Sequence, residues 1–255
     1  MRPDGAIRLA MVVTVAAGLA LPPVAVPSIA QASSRNGGGA RPVVVELFTA
    51  QGCAGCPQAN RTLESLAQTP DVIALTYGVN YWDYLGWPDT FARPEFAARH
   101  QAYRQSLKLR DVSTPQVVVD GRRQVSGTHP PALRAAIEAG ASERAWPPEI
   151  EFRETGDRVG IGSGRPPPGG AEVMAVHYRP GLQTVEVRSG DNRGQSVRHV
   201  NVVSQVYRLG DWDGRPALYE LPANSSSQDK VVVLVQGKSD RRIISAARQS
   251  EPARD

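Results

Sequence analysis

Cysteine is almost missing from this chain, with two in 255 residues. Histidine (four) and methionine (three) are nearly as scarce. A structural zinc site asks for four ligands, and no second Cys pair exists to complete one. A copper site has only the Cys pair and one of the scattered His100, His129, His177 or His199 to draw on, with no Met cluster. Long apolar runs are missing too. The longest, "LAMVVTVAAGLAL" (9–21), is too short for a comfortable membrane span and is followed by Pro22, Pro23 and Pro27. No run of basic residues interleaves with aromatics, so the net charge of +4 gives no footprint for nucleic acid. No internal repeat of fixed period is visible.

What is present begins with an export signature. Arg2 and Arg8 precede the apolar run, and "AQA" (30–32) fits a small-x-small cleavage site before Ser33. Residues 1–32 are therefore expected to be a signal peptide, removed to leave a periplasmic or secreted protein with no stable membrane insertion. No Cys lies near the cleavage site, so a lipoprotein is not expected. In an oxidising compartment a Cys pair can stand as a disulfide. Any such bond within the chain must join Cys53 and Cys56.

"SSRNGGGARP" (33–42) reads as a linker. From residue 43 the hydrophobic pattern predicts a strand at 43–48, a helix at 56–68 and a strand at 72–79. An aromatic insertion follows at 80–96, then a helix at 94–109, a hairpin at 115–127 around Asp120-Gly121, and a helix at 130–140. The first helix carries Ala59, Leu63, Leu66 and Ala67 on one face. The second carries Phe96, His100, Tyr103 and Leu107. A C-x-x-C between the first strand and first helix of such a β-α-β pattern is a redox signature. The expectation is an α/β thioredoxin-like domain over 43–144.

From residue 145 the pattern changes to eight short β-like runs, "EIEFRE" through "RRIISAA". Turn signals such as "RPGL", "SGDNRG" and "GDWDGRP" separate them. This spacing predicts an all-β, sandwich-like domain over 145–247. Residues 242–255 read as a fraying end, with 248–255 a disordered tail.

The chemistry expected of "CAGC" follows from its place. A helix opening directly after a turn aims free N–H groups and a positive dipole end at the turn, which favours a thiolate. Thiol pKa values in such motifs fall to roughly 3.5–7. Cys53, at the helix mouth, is expected to be the more exposed sulfur and the nucleophile; Cys56 is the resolving thiol. Thr114-Pro115 stands immediately before a strand; the likeness to thioredoxin-type proteins implies a cis peptide there, facing the cysteines and able to pair with substrate backbone, whereas position alone allows an ordinary trans Pro. Glu46 interrupts a valine run in a strand expected to be central. It is either a proton shuttle for Cys56 or the partner of an arginine. Trp82, Asp83, Tyr84, Trp87 and Asp89 are expected to form a lid, with Trp82 and Trp87 bordering the substrate site.

Together, "VVELFTAQGCAGCP", "VNYWDYLGWPDTFA", "STPQVVVDG" and "DNRGQSVRHVNVV" resemble the exported bacterial family of domain-of-unknown-function 1223, over roughly residues 42–247. The resemblance implies a thioredoxin-like fold with an appended β-rich part and no assigned activity. It puts the family's C-x-x-C on Cys53 and Cys56 and its aromatic stretch on 81–87. Where members carry a His and an Asp before that stretch, this chain has Gly78 and Asn80. Compared with thioredoxin itself, Pro57 follows the second Cys, and Ala54-Gly55 fills the space between the two.

The function expected is thiol–disulfide exchange on protein thiols or disulfides, with no cofactor and no bound metal. Two alternatives stay open. One is a non-catalytic binding module stiffened by its disulfide; the other is copper handling.

Overall fold

The structure, a computed structural model, describes residues 42–143, 147–224 and 226–249. The expected signal peptide, the linker up to residue 41 and the last six residues lie outside them. Through residue 142 the elements follow the expected order. They are β1 (Val43–Thr49), α1 (Cys56–Leu66), β2 (Val72–Gly78), a 3-10 turn at Asp83–Leu85, α2 (Pro94–Ser106), β3 (Gln116–Val119), β4 (Arg123–Ser126) and α3 (Pro130–Ser142). Then come β5 (Ile150–Phe152), β6 (Arg158–Ile161), β7 (Ala171–Glu186), β8 (Ser196–Trp212), β9 (Ala217–Glu220), β10 (Lys230–Gly237) and β11 (Ile243–Arg248).

The architecture departs from the expectation. One mixed eight-stranded sheet runs β11-β10-β7-β8-β2-β1-β3-β4, and β5-β6-β9 form a second, three-stranded sheet. The described residues are mostly β, with three α-helices, and fall in one compact unit. An α/β thioredoxin-like domain followed by a separate β-sandwich is therefore overturned: the strands expected in the sandwich extend the sheet that β1 and β2 begin. β1 and β2 pair in parallel, and Thr76 of β2 pairs in parallel with Val202 of β8.

The core shows why the two parts cannot separate. On one face of the sheet, Val44, Phe48, Leu75, Tyr77 and Val118 share a cluster with Val176, Val203, Val232, Leu234 and Ile243. Phe96 and Tyr103 of α2 plug it. On the opposite face, α1 and α3 cover Val43, Val45, Leu47 and Val117. The three-stranded sheet covers Val173, Ala175, Val231, Val233 and Val235. Successive residues of β1 and β10 thus enter different cores, which is why both strands read as unbroken apolar runs. Burying each such side chain contributes ~1.5–3 kcal/mol.

Local chemistry explains the turns. Asp120 and Gly121 both have positive φ, 50° and 62°, at the centre of the turn that Arg122 N closes on the Val119 carbonyl in the three-residue β3–β4 connection. Gly121 is needed for a second reason: a Cβ there would lie 1.9 Å from the Arg241 carbonyl oxygen in the β10–β11 turn. Pro180-Gly181, expected to end a strand, instead sits in a bulge within β7, where the register with β8 shifts between Arg179 and Leu182. Gly181 supplies the positive φ of 76°. β11 forms where "RRIISAA" read as β-like, and the fraying read from residue 242 does not hold over it, because its apolar residues Ile243 and Ala246 close the first core. No helix among the described residues is long and apolar enough to cross a membrane.

Candidate functional site

The two cysteines are joined. Cys53 and Cys56 form a disulfide across a turn that leaves β1 and enters α1. Pro57 follows Cys56 in the first turn of the helix, where a missing N–H costs nothing. The Ala50 amide donates to Cys56 Sγ at 3.5 Å, and Cys53 Sγ lies 3.6 Å from the Thr114 carbonyl oxygen. The Thr114–Pro115 peptide is cis, as the likeness to thioredoxin-type proteins implies. Pro115 Cδ would stand 3.5 Å from a Cβ at Gly55. The fold therefore brings Cys53, Cys56, Thr114 and Pro115 together.

Exposure differs from the sequence reading. Cys53 is 2% exposed and Cys56 0%, so Cys53 is not an open thiol at the helix mouth. Only Ala54 and Gly55, between them, face solvent. Two segments cover the rest. The aromatic insertion is the first. Trp82 Nε1 donates to Thr114 Oγ1 at 2.6 Å, and a Cβ at Gly52 would touch Trp82 Cβ at 3.4 Å. Trp87 Nε1 donates to Gln51 Oε1 at 2.8 Å. Tyr84, stacked on Trp82, remains 76% exposed.

The second cover comes from the far half of the chain. The loop joining β7 to β8 lays Gly190 against Gly52 and Leu85, and Ser189 Oγ donates to the Leu85 carbonyl at 3.3 Å. Asn192, 1% exposed, donates from Nδ2 to the carbonyl oxygens of both Gln51 and Cys53, each at 2.8 Å.

Gln51 is the hub that sequence reasoning missed. It is fully buried, and four of its polar groups are engaged. Its amide donates to Asp89 Oδ2 at 2.6 Å, and its carbonyl accepts from Asn192. Its Oε1 accepts from Trp87 and the Thr90 amide, and its Nε2 donates to Thr90 Oγ1. Burial lifts the Asp89 carboxyl to about 6, against the Gln51 and Phe91 amides, which pull it down. Nothing in the one-dimensional pattern marked Gln51. Asn192 lay within a quoted motif, but its partners are 139 and 141 residues away.

Glu46 is placed elsewhere. Its carboxylate takes Arg99 Nε at 2.8 Å and Nη2 at 3.3 Å, plus the Tyr103 hydroxyl. Gln236 of β10 joins the same network, accepting from Arg99 and donating to Tyr103. The arginine-partner alternative describes this contact, and the carboxylate's hydrogen bonds do not reach the cysteines. Burial holds the Tyr103 hydroxyl well above the ordinary phenol range. His100, stacked on Phe48 and bonded to Gln116 beside Pro115, is pushed down to about 4 by burial and stays neutral. Among the described residues no group of three or more His, Cys, Asp or Glu is placed to hold a metal.

Comparison with known proteins agrees on the fold and is silent on activity. A crystal structure of a protein from Agrobacterium tumefaciens, a structural-genomics target, is 34% identical, with a TM-score of 0.65 over 81% of this chain and 92% of that one. HBP35 of Porphyromonas gingivalis shares the fold at 17% identity, with a TM-score of 0.55 over 82% of this chain and 75% of that one. No curated protein matches the chain. The model of the family described as "Protein of unknown function (DUF1223)" matches residues 44–236, and the chain belongs to that family.

Proposed function

We propose that this is an exported thiol–disulfide exchange protein acting on protein thiols or disulfides in the periplasm or outside the cell. The observation that carries the reading is the placement of its two cysteines. They are paired across an exposed Ala54-Gly55 at the mouth of α1 and faced by Thr114–Pro115. In the reduced form, the Cys53 thiolate attacks one sulfur of a substrate disulfide and expels the other as a thiolate. The Cys56 thiolate then attacks Cys53 Sγ in the mixed disulfide. The second substrate thiolate leaves, the Cys53–Cys56 bond re-forms, and two electrons have passed to the substrate. The reverse sequence oxidises a substrate dithiol. Cys53 takes the first role because it is 2% exposed and precedes the helix, whereas Cys56 is 0% exposed, with its Sγ accepting from the Ala50 amide. Glu46 is left out of the mechanism, since Arg99 and Tyr103 occupy it.

One observation favours the second reading, a binding module with a structural disulfide: both sulfurs are covered. Trapping separates the two. The Cys56→Ser protein, incubated with oxidised glutathione or a disulfide-bonded protein, should accumulate a mixed disulfide through Cys53, and Cys53→Ser should not. Equal trapping by both variants overturns the assignment of roles. Absence of trapping by either leaves the structural disulfide.

A further inference from the structure

We infer that Asn192 is a positioning residue for Cys53, and that the β7–β8 loop which carries it is the gate through which the disulfide is reached. The inference rests on the exchange reading above only for its purpose; the gate itself is read from geometry. A disulfide substrate must meet Cys53 Sγ in line with its own S–S bond, and a residue only 2% exposed offers no such path. Something has to move. The α1 side cannot, because Ala59 and Leu63 are locked in the second core. Thr114–Pro115 opens β3, which is paired on both sides. The β7–β8 loop, by contrast, stands at the end of a two-stranded ribbon. Beyond the bulge at Arg179–Leu182, β7 passes from mostly buried residues to exposed and half-buried ones, while Val197, His199 and Val200 of the facing β8 stay buried.

The loop is built to move as one piece. Val187 donates to the Gln195 carbonyl, Gly194 to Val187 and Gln195 to Asn192, so its shape is internally fixed. Its grip on the cysteine turn is through neutral groups. Both Asn192 bonds come from one carboxamide nitrogen, and one goes to each of the two carbonyls that flank Gly52. Ser189 adds a bond to Leu85, so the same loop also pins the aromatic insertion. Lifting it frees the Cys53 carbonyl, opens the Gly190 side of Gly52 and removes one tether of the insertion, which Trp82 and Trp87 still hold to Thr114 and Gln51. A residue in the second half of the chain thus sets how often Cys53 is open, and with it the rate at which the turn reacts.

The test uses the reduced full-length protein and measures the rate of Cys53 alkylation by iodoacetamide, well below the melting temperature. Asn192→Ala removes both donors, and the isosteric Asn192→Asp sets a carboxylate against two carbonyl oxygens. Both should raise the alkylation rate by at least about tenfold and shift the thiol–disulfide equilibrium in glutathione buffers, while Asn224→Ala, far along the chain, stays within about twofold of wild type. Rates within about twofold of wild type in both Asn192 variants, with native circular dichroism, overturn the gate. Should neither variant fold, the wild type decides. Cys53 alkylation and exchange of the Val187 and Gly194 amides must then show protection factors within about threefold of each other, and a gap of more than about tenfold overturns the inference. Failure of the exchange reading is seen separately, as absence of mixed-disulfide trapping, and leaves these rates unaffected.

Discussion

Two buried polar networks tie the halves of this protein together, and they are built differently. Deep in the sheet, Glu46, Arg99, Tyr103 and Gln236 join β1, α2 and β10 around a full ion pair, with Arg99 also stacked over Tyr103 at 5.1 Å. At the rim, Gln51, Trp87, Asp89 and Asn192 join the cysteine turn to the aromatic insertion and the β7–β8 loop, mostly through neutral groups. A buried ion pair adds little net stability but is costly to break, since each charge strands the other. A neutral hydrogen bond is worth ~0.5–1.5 kcal/mol and can be exchanged for water if the segment lifts. The first network suits a fixture. The second suits a part that opens.

Breaking the fixture should have the largest effect. Arg99→Ala takes the counter-ion from Glu46 at 0% exposure, leaving it only the Tyr103 hydroxyl, and should cost ~3–5 kcal/mol, read as a lower urea midpoint at unchanged slope. Below its melting temperature, the relative reactivity of Cys53 toward small and large reagents should stay that of the wild type. A changed size ratio would mean that the two networks are one.

Asp89 is the one acid in the rim cluster, and it sharpens the contrast through pH. Its carboxyl is raised from 3.8 to about 6 in the folded protein, so the native state holds the proton more tightly than the unfolded chain. That contribution is complete below pH 3.8 and is lost as pH rises through about 6. With ~1.4 kcal/mol per unit, it is at most ~3 kcal/mol. The stability difference between wild type and Asp89→Asn should therefore shift against the wild type between pH 4 and 7, measured by denaturant titration at each pH. A flat difference would place the carboxyl in water. His100 and His199, both pushed down to about 4 by burial, act in the opposite direction and cancel in the comparison.

The smallest stability effect belongs to the aromatic insertion. Trp82 and Trp87 are only half-buried, so truncation to Ala should cost ~1–2 kcal/mol, well under the value for a fully buried Trp. The effect on access should be clearer. Either variant should raise Cys53 alkylation by a bulky maleimide more than by iodoacetamide. An unchanged size ratio would reduce the insertion to packing.

Much of the site could be read from the sequence. The Cys pair and the nearness of the insertion follow from local order, because each follows a strand, while the Thr114–Pro115 peptide facing the pair followed from the likeness to thioredoxin-type sequences. The helices over 56–66 and 94–106 follow from their periodicity, and the β3–β4 turn from Asp120-Gly121. What was not legible is contact at long range. A strand buried on both faces, such as Val231–Val235, reads the same in a separate sandwich as in an extension of the first sheet. Glu46 declared itself as an oddity, but only the fold could choose Arg99 as its partner. Gln51 and Asn192 are ordinary residues made important by meeting across 141 positions.

The place of β8 beside β2 has a consequence for how the chain must be made. Thr76 Oγ1 donates to the Val200 carbonyl, and Arg248 reaches back to the Val72 carbonyl, 176 residues away. During synthesis β1 and β2 emerge long before the strands that flank and cover them. Until β8 arrives, β2 is a bare parallel edge of valine, isoleucine and leucine, the kind of surface that templates association between chains. Pairings this distant also close slowly. A polypeptide ending at residue 144 would keep both cysteines and Pro115, yet it would lack half of its first core and present that edge permanently. It should be recovered as aggregate, whereas the intact chain remains soluble.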